Sequence, residues 1–97
     1  MTEKDELLTK MRAALPELRR QWPIRSLAMF GSIARGDAKP TSDLDVLVEF
    51  DQPVSLSAFL ALENALAELA GRRVDLVSRP ALKRFIGERV LGEAVPV

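Results

Sequence analysis

Phe30-Gly31-Ser32-Ile33-Ala34-Arg35-Gly36 and Ser42-Asp43-Leu44-Asp45-Val46-Leu47-Val48-Glu49-Phe50 are the stretches on which the fold turns. In the second, side chains alternate between two faces of an extended chain. Leu44, Val46, Val48 and Phe50 share one face, and Asp43, Asp45, Leu47 and Glu49 share the other. The pattern predicts a strand over 43–50 with both aspartates pointing away from an apolar layer. Just upstream, Ile24 to Phe30 is apolar and ends at Gly31, which reads as a buried strand. Ser32 to Arg35 fits a short helix, and Gly36 to Ser42 is a polar loop.

Working outward, Thr2 is placed to cap a first helix, with Asp5 three residues on in a capping-box position. Leu7, Leu8, Met11 and Leu15 recur at helical spacing. Pro16 should end that helix and open a second, short one over 16–21, because proline lacks the N–H a helix interior needs. Downstream, Ser55 or Ser57 caps a helix bearing Leu56, Phe59, Leu60, Leu62, Leu66 and Leu69, and Gly71 stops it. Arg72 to Ser78 is a short strand with Asp75 at its middle. Ser78 and Pro80 open a last helix whose apolar face is Leu82, Phe85, Ile86 and Val90. The strand–helix–strand unit from Asp43 to Val77 should be a right-handed parallel crossover, which sets Asp75 beside Asp43 and Asp45 if its side chain faces the same side. The fold class is α/β (α+β): a small mixed sheet of about three strands packed with helices in one domain, residues 1–97.

Composition narrows the chemistry. With 97 residues the chain is sized for one domain, and roughly two-thirds of its unfolded surface can be buried. There is no Cys, so disulfides and thiolate zinc sites are excluded. There is no His, which removes Ser-His-Asp catalysis and imidazole acid–base work. Catalysis must therefore run on carboxylates, Lys, Arg, Ser, backbone amides and a hard cation held by oxygen. The 14 Lys+Arg balance 14 Asp+Glu, which argues against direct nucleic-acid binding driven by overall charge. No apolar run approaches the ~20 residues of a membrane span, and Met1 to Leu8 has no signal-type block, so a cytoplasmic protein with no membrane association is expected.

Gly31 permits a sharp turn and close approach to a ligand. Ser32 follows where free amides of a helix start point outward, a natural setting for phosphate. Asp43 and Asp45 project two carboxylates from one strand face, and such a pair suits Mg²⁺. Asp75 would complete a two-metal site or act as base toward an acceptor hydroxyl. Each part alone is commonplace: Gly-Ser after a strand is mostly a turn, and Asp-x-Asp is mostly a solvated face. Their order is specific.

That order resembles the DNA polymerase β-like nucleotidyltransferases, whose signature is Gly-Ser, a spacer, Asp-x-Asp and a third carboxylate on a later strand. The wording Phe30 to Asp37, Ser42 to Val48 and Arg73 to Val77 is most similar to the minimal nucleotidyltransferases (MNT proteins), over nearly the whole chain. The resemblance implies transfer of AMP from ATP to an acceptor hydroxyl with release of pyrophosphate. It implies that Gly31 and Ser32 hold the triphosphate, with Arg35 pairing either with phosphate or with a carboxylate of its loop. It implies that Asp43, Asp45 and Asp75 are the catalytic carboxylates that hold Mg²⁺, as a pair of ions. It also implies a HEPN-domain toxin as partner in a hetero-oligomer, the MNT chain being the antitoxin that attaches AMP to a tyrosine of the toxin. This chain has no Tyr, so such an acceptor must lie on another chain. Two other readings stay open: an antitoxin that blocks its partner by contact alone, and a transferase acting on a small molecule or an RNA end. The basic pairs Arg19-Arg20, Arg72-Arg73 and Lys83-Arg84 read as solvated helix ends, with a basic ring around the triphosphate as the functional alternative.

Overall fold

The alternation in 43–50 becomes a strand because its two neighbours in the sheet are equally apolar. In a computed structural model, which describes residues 2–82 and 84–97 (the backbone alone over 84–87), strand β2 (Leu44–Phe50) lies between β1 (Ile24–Phe30) and β3 (Val74–Ser78). β1 pairs antiparallel with β2, and β3 pairs parallel with it. A two-residue strand β4 (Val95–Pro96) pairs antiparallel with β1, giving the order β3-β2-β1-β4. This fourth strand adds to the three expected from the sequence: two residues are too few to show a period.

Cross-strand neighbours Leu27↔Val48 and Met29↔Val46 on one side, and Val46↔Leu76 on the other, line up one apolar face. Leu44, Met29, Val46 and Val48 are fully buried there. Helices α1 (Glu3–Gln21) and α3 (Leu56–Ala70) complete this core through Leu7, Leu8, Met11, Leu18, Leu62 and Leu66. The short helix α2 (Gly31–Arg35) adds Ile33. Of the two candidate caps for α3, Ser55 is the one used, its hydroxyl accepting from the Ala58 N–H at 3.1 Å, and the helix ends at Gly71 in the left-handed conformation. Its Glu63 reaches across to accept the Leu76 N–H of β3 at 2.9 Å. The outer flank of α3 is less buried than its leucines suggest, with Leu56 73% and Leu60 45% exposed.

Two boundaries differ from expectation. Pro16 does not divide the first helix: α1 runs unbroken over 19 residues. Pro16 is exposed, so the carbonyl it leaves unpaired one turn back faces water. The anchors Leu7, Leu8 and Met11 before it and Leu18 after it seat both halves on one core. The capping box at Thr2 and Asp5 forms as predicted, and acidic residues in the first turn and Arg19 and Arg20 in the last complement the helix dipole. The second difference concerns Ser78 and Pro80. They open only a single 3₁₀ turn (Arg79–Ala81), closed by Leu82, and helix α4 runs later, over Arg84–Glu93. Lys83 and the side chains of Arg84, Phe85 and Ile86 lie outside the described residues. No helix among the described residues is long and apolar enough to cross a membrane.

The exposed proline in mid-helix costs stability that its neighbours offset. Pro16→Ala should stabilise the fold by roughly 1–2 kcal/mol, the helix gain minus the greater freedom of the unfolded chain. A higher urea midpoint at unchanged m-value is the expected reading.

Candidate active site

Sealing one face of β2 turns Asp45 and Glu49 to the other, where both stay partly exposed while Leu47 between them is buried. The parallel register pairs the Cα of Asp45 with that of Asp75. Adjacent strands are about 4.8 Å apart, so the two carboxylates are side-by-side neighbours on the sheet. On its other flank Asp45 faces Phe30, the last residue of β1. Gly31 follows at φ +76°, a conformation open to glycine, and its backbone lies so close to Asp45 that a Cβ there would collide with the carboxylate Oδ2. The Gly-Ser turn and the Asp-x-Asp strand, 10 residues apart in sequence, are thus in contact in space.

Asp43 directly precedes β2. Its position is held by backbone on both sides: the Leu44 N–H donates to the Arg73 carbonyl at 2.9 Å, and Arg72 Nη1 donates to the Ser42 carbonyl at 3.2 Å. Arg72 also pairs with Glu3 of α1, tying the helix start to this corner. The Arg73–Asp43 ion pair at 3.9 Å is largely exposed and contributes little.

Partial burial, then the negative charges of Asp75 and Asp43, push the Asp45 carboxyl above the usual carboxylate range, while Arg35 draws it down. Like charges crowded at a partly desolvated point are the donor chemistry that a hard divalent cation satisfies. In the conformation observed, no three acidic side chains among the described residues stand close enough to hold an ion between them. The donor set, carboxylate oxygens on neighbouring strands, fits Mg²⁺ in chemistry.

A cleft of about 370 Å³ opens beside this point, and Gly31, Ser32, Arg35 and Asp45 all line it. Arg35 does not point freely into it: its guanidinium donates to Asp37 at 3.4 Å and to Glu93 at 3.2 Å, and these bonds hold its pKa above the ordinary value. The far wall is α4, through Arg89, Val90 and Glu93. Sequence reasoning missed Arg89 and Glu93. Their i,i+4 spacing was visible, but the return of α4 to the Gly31 turn, with β4 paired to β1, Val90 buried and Glu93 bonded to Arg35, was not. A larger cleft of about 870 Å³ lies at the opposite end of β2, between Phe50, Phe59 and Pro53. It contains none of the predicted site residues, and its Arg25 and Arg79 are paired with Glu49 and Asp51.

Residues 11–95 match the family model of the nucleotidyltransferase domain. The chain belongs to that family. It is 42% identical over 97 residues to the protein adenylyltransferase MntA of Thermococcus cleftensis, covering 100% of this chain and 98% of that one. A solved candidate minimal nucleotidyltransferase superposes with a TM-score of 0.82 at 38% identity, over 99% of this chain and 97% of the other. The same fold recurs, at TM-score 0.61 and 18% identity over 97% of this chain and 67% of the other, in a complex of tri-AMPylated Shewanella oneidensis HEPN toxin with MNT antitoxin. The four-stranded mixed sheet with its helices is therefore the polymerase β-like nucleotidyltransferase fold.

The contact between Gly31 and Asp45 makes two expectations. Gly31→Ala should cost about 1–2 kcal/mol for the left-handed backbone and displace the Asp45 carboxylate, so any activity of the cleft should fall further than stability does. Asp45→Asn removes a charge that burial and two neighbours oppose. Without divalent metal it should raise the melting temperature by a few degrees, and added Mg²⁺ should narrow the difference by stabilising only the wild type.

Proposed function

We propose that this nucleotidyltransferase transfers AMP from ATP to a tyrosine hydroxyl of a HEPN toxin, and so acts as the antitoxin of a toxin–antitoxin pair. The observation that carries the reading is the position of Asp45, with Asp75 on the next strand at one side and the Gly31 turn at the other. The name of the Thermococcus relative and the AMPylated toxin in the Shewanella complex support the choice of AMP and of a HEPN partner. The absence of Tyr from this chain fits an acceptor on another chain. One domain spanning 1–97, working in the cytoplasm, is the unit that acts.

Gly31 and Ser32 take the triphosphate, through backbone amide and hydroxyl donors. Asp43, Asp45 and Asp75 are the residues that would hold Mg²⁺, which when bound would supply neutralisation of phosphate charge. The acceptor oxygen bonds to the α-phosphorus as the bond from that phosphorus to the bridging oxygen of the β-phosphate breaks. Pyrophosphate leaves with those electrons, and the acceptor proton passes to a carboxylate, the role Asp75 takes where it does not share a metal. Arg35, held by Asp37 and Glu93, steadies the floor of the cleft.

The exposed Leu56 and Leu60 on α3 favour one competing reading, neutralisation by contact alone. The experiment that separates the two uses labelled ATP, Mg²⁺ and a HEPN toxin, with and without its acceptor tyrosine. Label should appear on the toxin only when the tyrosine is present, and EDTA should abolish it. The double variant D43N/D45N should keep the fold and lose transfer by more than the ~100-fold typical of an outer-shell change around a metal. A double variant that neutralises the toxin as well as the wild type would establish the contact-only reading instead.

A further inference from the structure

The wall of the cleft contributed by α4 has a chemistry that neither the Gly-Ser turn nor the three aspartates explains. Glu93, with its side chain 27% exposed, lies between two guanidinium groups. Arg35 Nη1 is 3.2 Å from it and Arg89 Nε is 3.6 Å away on the other side. The two arginines are not equivalent. Arg35 is shared by two carboxylates, Asp37 and Glu93, both hydrogen-bonded to it. Arg89 has one ion pair among the described residues, long and within its own helix, and its side chain is 77% exposed. Such an i,i+4 pair is worth only a few tenths of a kcal/mol, so the guanidinium leaves it at little cost.

Among the described residues, the charges that face the cleft are Asp45 and Glu93 on one side of the balance and Arg35 and Arg89 on the other. With Arg35 already satisfied, Arg89 is, among these, the cation available to an incoming anion. A guanidinium presents a planar fork of donors that matches phosphate oxygens, and it keeps its charge at any working pH. It stands across the cleft from Gly31 and Ser32.

We propose that Arg89 is a substrate-binding residue that grips the polyphosphate tail of the nucleotide from the α4 side, exchanging Glu93 for phosphate when the cleft fills. This rests on the nucleotide-transfer reading above and adds a contact to it. It also gives the C-terminal segment a role in the site: α4 is held near the Gly31 turn by β4, so the tail is gripped between residues about 57 positions apart.

The test measures steady-state transfer by wild type, R89A and R89K, with ATP varied at saturating toxin. R89A should raise KM for ATP about tenfold and leave kcat within about twofold, because the contact exists in both the bound and reacting states. R89K should recover part of the loss, since an ammonium restores charge without the fork. The melting temperature should not move, because the side chain is exposed. Unchanged KM for ATP in R89A would overturn the proposal, as would an equal loss in R89A and R89K together with a lowered melting temperature. If the wild type transfers nothing, the nucleotide-transfer reading has failed, and calorimetric titration of ATP into wild type and R89A decides the Arg89 contact separately: weaker binding by R89A supports it, and equal binding overturns it.

Discussion

Leu44, Val46 and Val48 have no exposed surface, and the rest of the molecule is arranged around that burial. A strand has a side-chain period of two, so closing one face over these residues forces Asp45 onto the other. A slip of one residue would bury Asp45 and Glu49 and expose three apolar side chains. The register is therefore held by the core itself, through Met29 and Leu27 on β1 and Leu76 on β3. The same register decides the chemistry. Because β3 returns parallel, Asp75 meets Asp45 directly, and because β1 runs antiparallel, its C-terminal Gly31 turn meets Asp45 from the other side. The crowding of carboxylates is thus an outcome of how the core packs.

That crowding works against stability. Asp45 resists ionisation because water is partly excluded and because Asp75 and Asp43 repel it. A chain selected for stability alone would have little reason to set three acids at one corner and anchor the corner with Arg72, Ser42 and Glu3. Functional sites are where such local conflicts concentrate. The guanidinium pairs around Glu93 are the counterpart on the opposite wall of the cleft, where opposite charges lie close and none is buried deeply.

Much of this arrangement was legible in the sequence. The β1 and β2 strands, a serine cap at Ser55 or Ser57, the Gly71 stop and the parallel crossover follow from periodicity and turn chemistry, and they bring the strand of Asp75 beside that of Asp45, while the register that pairs the two residues comes from the structure. The Gly-Ser turn could be read as a turn, but not as one lying against the Asp45 side chain, because that contact depends on the antiparallel pairing of β1 and β2. Pro16 misled because local propensity spoke for a break while tertiary packing on both sides of an exposed proline kept the helix whole. The position of α4 was out of reach for a different reason. It depends on β4, two residues long, whose pairing with β1 leaves no periodic trace, and so Arg89 and Glu93 looked like surface charges.

The two short outer strands have a consequence for how this protein keeps company with others. An open sheet border is a row of unpaired amides that invites another chain to add a strand. On the β3 border, Glu63 occupies the Leu76 amide with a partly buried carboxylate. On the β4 border, the strand is only two residues long and contains Pro96, whose carbonyl is already taken by Arg12. Each border thus has a strand-pairing group already engaged, which disfavours strand addition there. The margins of the sheet thus favour meeting a partner through helices, loops or the cleft itself.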